Sequence, residues 1–576
     1  MNNEQLARTI QGEIEKSTGE KIEVSVKNNV AGLTGWSASY QNVVEAGHTA
    51  GGFDQVRGVV NEINYPNKKG LILPQKVSDE LSGREFDVVI VGGGVIGCAV
   101  ARELSRYNLS IALVERHDDV GLDETAHNNG MIHPASFTES STLKWEMNYK
   151  GNAMYDRVAQ ELDVDFKRIG TLMVAEKPEE ESFIPFIVER AKQQRDPEPK
   201  VLGREELDRV EPGLAPNVRK GALIWNAGII SPFELTIAYA ENAVKNGIEI
   251  FLETSVIGVQ TEDNSIKAVD TTRGTIRTRF LINAAGIYSD KIAEFAGDRF
   301  FTIHPRRGET VIFDKEYQPV KTVLLCFNMG GDRDPHSKGG GIIPTIDGNL
   351  QFGPTAEEVE DREDVSTTKR GIDALFNKFA PVLSRLKPDY PPPTMDKIIT
   401  YFAGCRAATY KEDFIIEPSG KIEGLIHVAG IQSPGLASTP AIAERVVDII
   451  REQTKLVEKS DYDPYRKKTK RFWEMDRKER QEIALVNPLY GHIICRCENV
   501  SEGEIVEALH GAIPIKSIDA IKRRARAGMG RCQAGFCLPR VLSIINRELG
   551  ISKELVTKNG GASFILSGKA KERQKR

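Results

Sequence analysis

Four of the seven cysteines in this 576-residue chain lie close together near its C-terminal end, Cys495 and Cys497 in "IICRCENV" and Cys532 and Cys537 in "GMGRCQAGFC". Four thiolates in two near pairs can hold a zinc ion or an iron–sulfur cluster. Zinc ribbons favour two C-x2-C knuckles, and neither pair has that spacing. The glycines of the second group let the backbone fold tightly around sulfur and aim N–H groups at it. Lys522, Arg523, Arg524, Arg526 and Arg531 crowd the same segment, and positive charge beside an anionic cluster raises its reduction potential. From residue 491 onward there are sixteen Lys plus Arg against eight Asp plus Glu. The segment has no interleaved aromatics, which argues against a nucleic-acid surface.

A second chemistry-bearing stretch is "FDVVIVGGGVIGCAVARELSRYNLSIALVER", starting at Phe86. It reads as an apolar strand, a glycine turn, a helix and a second strand ending in Glu115. Gly92 permits the tight turn, Gly94 lets the backbone approach a pyrophosphate, and Gly97 lets helix and strand pack closely. The diphosphate then sits at the helix N-terminus, where free N–H groups favour it. Glu115, at the end of the second strand, is placed to accept hydrogen bonds from a ribose. The order of strand, turn, helix, strand and acid predicts dinucleotide binding.

NAD and FAD share this fingerprint, and the chain carries only one copy. "FLINAAGIYSDKIAEFAG" brings a strand back into Ala284, Ala285 and Gly286. "GLIHVAGIQSPGLASTPAIAERVVDII", residues 424–450, adds a strand, a turn with Gly430 and Ser433, and a helix opening at Gly435. Such a helix end can face a flavin ring and stabilise negative charge on it. FAD is favoured over NAD. With no second fingerprint and no C-x-x-C flavin–disulfide motif, the chain is not expected to reduce NAD by itself.

The elements that must position these groups follow from the wider pattern. Hydrophobic residues make up 40% of the chain, enough for buried cores, and the net charge of −5 decides nothing. The N-terminus is polar, no window approaches a membrane span, and the cysteines do not form a disulfide framework. A cytoplasmic protein is expected, or one peripheral to the inner face of the membrane. Residues 1–80 read as a small α/β module, with strand-like alternation in "KIEVSVKNNVAGLTGWSAS" and then a helix and a strand. "NKKGLILPQKVSDELSGRE" links it to a unit at 86–455. Residues 456–488 form a second linker, and 489–576 hold the cysteines.

"VVIVGGGVIGCAVARELS", "NNGMIHPA", "FLINAAGIYSD", "PRRGETVIFDK", "IIPTIDGNLQFGPTAE", "YFAGCRAATYKEDFIIE" and "VAGIQSPGLASTPAIAE" together resemble the D-amino-acid-oxidase-like FAD superfamily. Within it they are similar to the branch of glycerol-3-phosphate and L-2-hydroxyglutarate dehydrogenases. "CRCENVSEGEIVEAL" with "KRRARAGMGRCQAGFC" resembles the BFD-like 2Fe-2S domain, and residues 1–80 resemble the BON module. The implied fold class is α/β. A Rossmann-like, glutathione-reductase-type FAD domain carries an interleaved, mostly antiparallel α+β substrate domain at about 160–225 and 300–395, with a small helical cluster domain behind it.

The resemblance also implies roles. Asn128, Asn129 and Val256 would bind the cofactor. His133 would take a hydroxyl proton during hydride transfer to flavin N5. Arg406 would hold an anionic substrate by two-pronged contact, unless it pairs with Glu412 or Asp413. Arg306, Arg307 and Lys338 are the other candidate cations. Glycerol 3-phosphate is the favoured substrate, with L-2-hydroxyglutarate or another 2-hydroxy acid as the alternative. An amino-acid or amine dehydrogenase, or a non-catalytic electron-transfer subunit, is a further reading. Electrons would leave through the 2Fe-2S cluster to an NADH-linked flavoprotein or a quinone-linked subunit, in a hetero-oligomer.

Overall fold

The structure is a computed structural model that describes residues 2–327, 329 and 339–568. Lys338 lies outside the described residues. Two large sheets carry the middle of the chain. The first has five parallel strands at its centre, Glu249–Phe251, Ile111–Val114, Glu85–Val91, Gly274–Asn283 and Leu425–Ala429, in that spatial order. These strands are short apolar runs because both faces are covered, the usual condition of a parallel sheet. Helices Val95–Leu104, Leu143–Leu162, Pro232–Lys245 and Gly435–Gln453 contribute to one core with them. All five strands run the same way, so their C-terminal ends open on one edge, where such sheets bind ligands.

Among the described residues the second sheet has nine strands and is antiparallel except where Val323–Cys326 runs parallel to Thr171–Ala175. Its longest members, Ile303–Phe313 and Ile398–Thr409, pair along almost their whole length. The sheet therefore extends past residue 395, the edge expected from sequence, and takes in the strand that carries Arg406. Helix Lys369–Leu386 covers it through Leu375, Phe379, Leu383 and Leu386.

The N-terminal module opens with a helix, Asn3–Thr18, ahead of the strand expected there. The expected single strand is a hairpin, Glu23–Lys27 and Val30–Thr34, turned by Asn28 and Asn29 at φ 51° and 61°. Two left-handed residues are what a two-residue hairpin loop of this hand needs. Strand Gly58–Asn61 completes the sheet in parallel.

Residues 456–488 are more than a linker. Their first part is strapped to the flavin-binding unit: Asn108 donates to the Val457 carbonyl at 2.8 Å, and Arg466 reaches Glu241 at 2.5 Å. Helix Arg477–Val486 follows. The C-terminal unit packs helices Glu502–Leu509, Ile518–Ala525 and Leu538–Leu549 around Ile505, Ile521 and Ile545. No helix among the described residues is long and apolar enough to cross a membrane.

Candidate cofactor and substrate site

A cavity of about 1190 Å³ runs along the C-terminal edge of the first sheet and ends between the two sheets. One end is built by the glycine turn. A Cβ on Gly92 would lie 2.4 Å from the Ala284 carbonyl oxygen, and one on Gly97 would lie 1.9 Å from that of Gly92. Both contacts are impossible for any other residue, so turn, helix and returning strand close up only with glycine. Gly94 is the N-cap of helix Val95–Leu104 and offers no side chain to the free N–H groups. Glu115 is buried and accepts from the backbone N–H of Gly93 at 2.6 Å and of His117 at 2.9 Å. Burial raises its pKa. Val256, Ala285, Gly286 and the linker residues Leu71 to Pro74 line the same end.

At the other end stand His133, Ser433 and Gly435, with His133 Nε2 3.4 Å from Ser433 Oγ. Gly430 sits behind this turn with φ 65°, and a Cβ there would press on Thr409. Asn128 and Asn129 line the cavity, yet their amides shape the turn. Asn128 Oδ1 accepts from Gly130 N at 2.9 Å, and Asn129 Oδ1 accepts from Met131 N at 3.2 Å. Both amide oxygens are committed to the backbone, and Asn128 Nδ2 also donates to the Glu124 and Thr125 carbonyls. A glycine cradle, an acid beside it and a long, partly enclosed space fit an FAD molecule.

Arg406 lines the cavity and donates to the Thr355 carbonyl at 3.0 Å. The carboxylates suspected as its partners are engaged elsewhere. Glu412 accepts from Arg306 at 2.6 Å, and Asp413 caps helix Leu143–Leu162 through the N–H groups of Leu143 and Lys144. Arg306 is buried and also held by Glu358 at 2.5 Å. Arg307 turns to the opposite face, where it pairs with Glu357 at 2.9 Å and with Asp364. Both cations of the "PRRGE" pair are thus structural ion pairs.

Two cavity residues carried no signal in the sequence. Lys144, at the first turn of helix Leu143–Leu162, has its Nζ 3.8 Å from Glu412, and burial lowers its pKa. Glu124 is half-buried at the cavity wall and accepts from Ala407 N at 3.2 Å; desolvation raises its pKa to about 7. Glu124 sits on a connection and Lys144 at the very start of a helix, where no periodicity marks a buried charge.

The four tail cysteines meet as two pairs, each joining the two sequence groups. Cys497 and Cys532 have their sulfurs 3.4 Å apart. Cys495 is hydrogen-bonded to Cys537, and that bond, with backbone N–H groups of Gly528 and Glu498, pulls its thiol down to about 6. A Cβ on Gly530 would lie 2.4 Å from the Cys497 Cβ. Thiols converging under backbone donors fit a four-cysteine cluster. The arginines of this segment are each paired with carboxylates. Arg523 and Arg524 both grip the buried Asp119 of the flavin-binding unit, at 2.9 and 2.8 Å. Arg526 pairs with Asp347 and Glu498, and Arg531 with Asp314 and Glu316. Their charge is compensated by carboxylates, and its main effect is to dock the tail.

Comparison with known proteins agrees with this geometry. Residues 87–449 match the FAD dependent oxidoreductase family, residues 493–547 the BFD-like [2Fe-2S] binding domain, and residues 2–67 the BON domain. The chain is 41% identical to glycerol 3-phosphate dehydrogenase of Caloramator mitchellensis, over 84% of this chain and 99% of that one. It is 29% identical to glycerol 3-phosphate oxidase of Mycoplasma genitalium, over 66% and 97%. It is 26% identical to the mitochondrial L-2-hydroxyglutarate dehydrogenase of Nematostella vectensis, over 64% and 91%. The solved structure of dithionite-reduced L-alpha-glycerophosphate oxidase from Mycoplasma pneumoniae with FAD bound superposes with a TM-score of 0.59 at 27% identity, over 66% of this chain and 98% of that one. The chain therefore belongs to the FAD-dependent oxidoreductase family, with a BON domain before the flavin-binding unit and a BFD-like 2Fe-2S domain after it.

Proposed function

We propose that this protein oxidises glycerol 3-phosphate to the corresponding ketone and delivers the two electrons to a second redox protein. The observation that carries the reading is the 41% identity to a glycerol 3-phosphate dehydrogenase across 99% of that relative. A cavity whose inner end holds a histidine and two cations, Arg406 and Lys144, suits an anionic alcohol. Bound FAD supplies the two-electron acceptor for the carbinol hydride, and the 2Fe-2S centre supplies a one-electron exit. Arg406 holds the phosphate by paired N–H donors. Lys144 adds a point charge, and His133 Nε2 takes the hydroxyl proton, the substrate hydroxyl replacing Ser433 Oγ as its neighbour.

Anaerobic addition of glycerol 3-phosphate to the purified protein tests this. Bleaching of the flavin absorbance by glycerol 3-phosphate, and not by L-2-hydroxyglutarate, is the expected result. The reverse pattern would assign the hydroxy acid instead. No bleaching by any hydroxy compound or amino acid would make the chain an electron-transfer subunit.

A further inference from the structure

The N-terminal module lies against the inner end of the substrate cavity. Helix Tyr40–Gly51 presents two glycines to Tyr410, which follows the strand that carries Arg406. A Cβ on Gly47 would lie 2.3 Å from the Tyr410 ring, and one on Gly51 would lie 2.2 Å from the Tyr410 carbonyl oxygen. No side chain fits between them, so the contact is direct and of fixed separation. Tyr410 is counted in the module's own core, and Asn61 Nδ2 donates to its hydroxyl at 3.1 Å. Two more contacts hold the module in place: Asn61 N donates to Thr302 Oγ1 at 3.0 Å, and Arg57 lies 4.1 Å over the Phe300 ring.

From this contact two short paths lead to one guanidinium. Tyr410 stacks flat on His304, with ring centroids 4.5 Å apart and planes 10° apart. His304 Nδ1 meets Glu358 at 2.7 Å, and Glu358 holds Arg306 Nε at 2.5 Å. His48, from the same helix, packs edge-on against both Tyr410 and His304 and places Nε2 4.0 Å from Glu412 Oε1. Glu412 holds the other side of Arg306 at 2.6 Å and stands 3.8 Å from Lys144. The Arg306 carbonyl lies 3.5 Å from Arg406 Nη1. Among the described residues, the two carboxylates that grip Arg306, Glu358 and Glu412, are each backed by a histidine ring of the module or in contact with it.

We infer that the N-terminal module is a working part of the substrate site: through His48 and Tyr410 it fixes the two carboxylates that orient Arg306, and with them the cations at the inner end of the cavity. His48 and Tyr410 are positioning residues that touch no substrate. The inference rests on the cavity being the site for an anionic substrate. It assigns the module a task beyond docking, and a surface extension would have no need of a histidine in the second layer behind the cavity.

The test uses the full-length holoprotein and two variants. Gly47→Val cannot keep the helix against Tyr410, and His48→Leu keeps the bulk while removing the imidazole. The probe is inorganic phosphate, titrated while the absorbance of bound flavin is followed, with FAD and iron content measured alongside. Both variants should weaken phosphate binding roughly three- to thirtyfold, the range expected for residues that couple through a packed network. Their KM for substrate should rise more than kcat falls, at unchanged FAD and iron. Unchanged phosphate affinity in both would overturn the inference. Loss of FAD from both would overturn it as well, making the module a stabiliser of the whole unit. Phosphate affinity is read without turnover, so failure of glycerol 3-phosphate as a substrate would sink the proposed function and leave this result standing.

Discussion

Arg306 and Arg406 stand directly opposite each other across strands Ile303–Phe313 and Ile398–Thr409, and Glu358 stands opposite Arg306 on its other side. Side chains so paired share one face of a sheet, with Cβ atoms about 4.5–5.5 Å apart. The row therefore reads carboxylate, guanidinium, guanidinium. Glu358 and Glu412 neutralise the first cation, while the second is anchored by the Thr355 carbonyl at the cavity wall.

The two arginines should fail differently. Arg406→Ala should lower kcat/KM for an anionic substrate by an order of magnitude or more, since a charge-assisted pair is worth about 1.5–3 kcal/mol. FAD content should not change. Arg306→Ala takes the central cation from two half-buried carboxylates, which keep His304 and Lys144 nearby, a loss on the order of 1–3 kcal/mol. It should show first as a lower Tm.

Glu115 is tied to the glycine turn by its bond from Gly93. Glu115→Arg removes that acceptor and places a bulky cation where a ribose would bind. The ratio of FAD to protein after gel filtration should fall well below one, and full occupancy would contradict the assignment.

Cys532→Ser breaks the pair with Cys497. Wild-type protein should contain about two irons and two acid-labile sulfides per chain. The variant should lose them, keep substrate-dependent bleaching of its flavin, and lose turnover with the partner acceptor. Stoichiometric zinc with no iron in the wild type would reject the cluster.

Glu124 gives a pH signature. Its pKa of about 7 lies above the ordinary value of 4.5, so the unfolded chain releases this proton at lower pH than the folded one. Stability then falls as pH rises from about 4.5 to 7, by about 3 kcal/mol at most, and is flat above. Glu124→Gln should abolish that slope in thermal denaturation across the same range.

What could be read from sequence had local causes. The glycine turn, the returning strand and the helix opening at Gly435 each follow from neighbours along the chain, and the two cysteine groups mark their own domain, although the pairs Cys497–Cys532 and Cys495–Cys537 form between the groups. What escaped depends on distant contacts. The arginines of helix Ile518–Ala525 looked like a field around the cluster because their partner, Asp119, is 404 and 405 residues away. Gly47 and Gly51 looked unremarkable because Tyr410 is equally remote. The Asn28–Asn29 turn is legible in principle, since paired asparagines accept positive φ, but it lies inside an alternating run that reads as one strand. Glu124 belongs to a connection and Lys144 to the first turn of a helix, and at both places burial is set by tertiary packing.

The buried triplet of Asp119, Arg523 and Arg524 has a kinetic meaning. Asp119 lies four residues beyond Glu115, so the loop leaving the acid of the dinucleotide fold is also the anchor of the cysteine domain. A domain bolted down in this way cannot act as a swinging arm that carries charge by diffusion. Transfer from flavin to cluster should behave as tunnelling across a fixed gap, with a rate indifferent to added glycerol or sucrose, and only the encounter with the acceptor should slow as the solvent thickens.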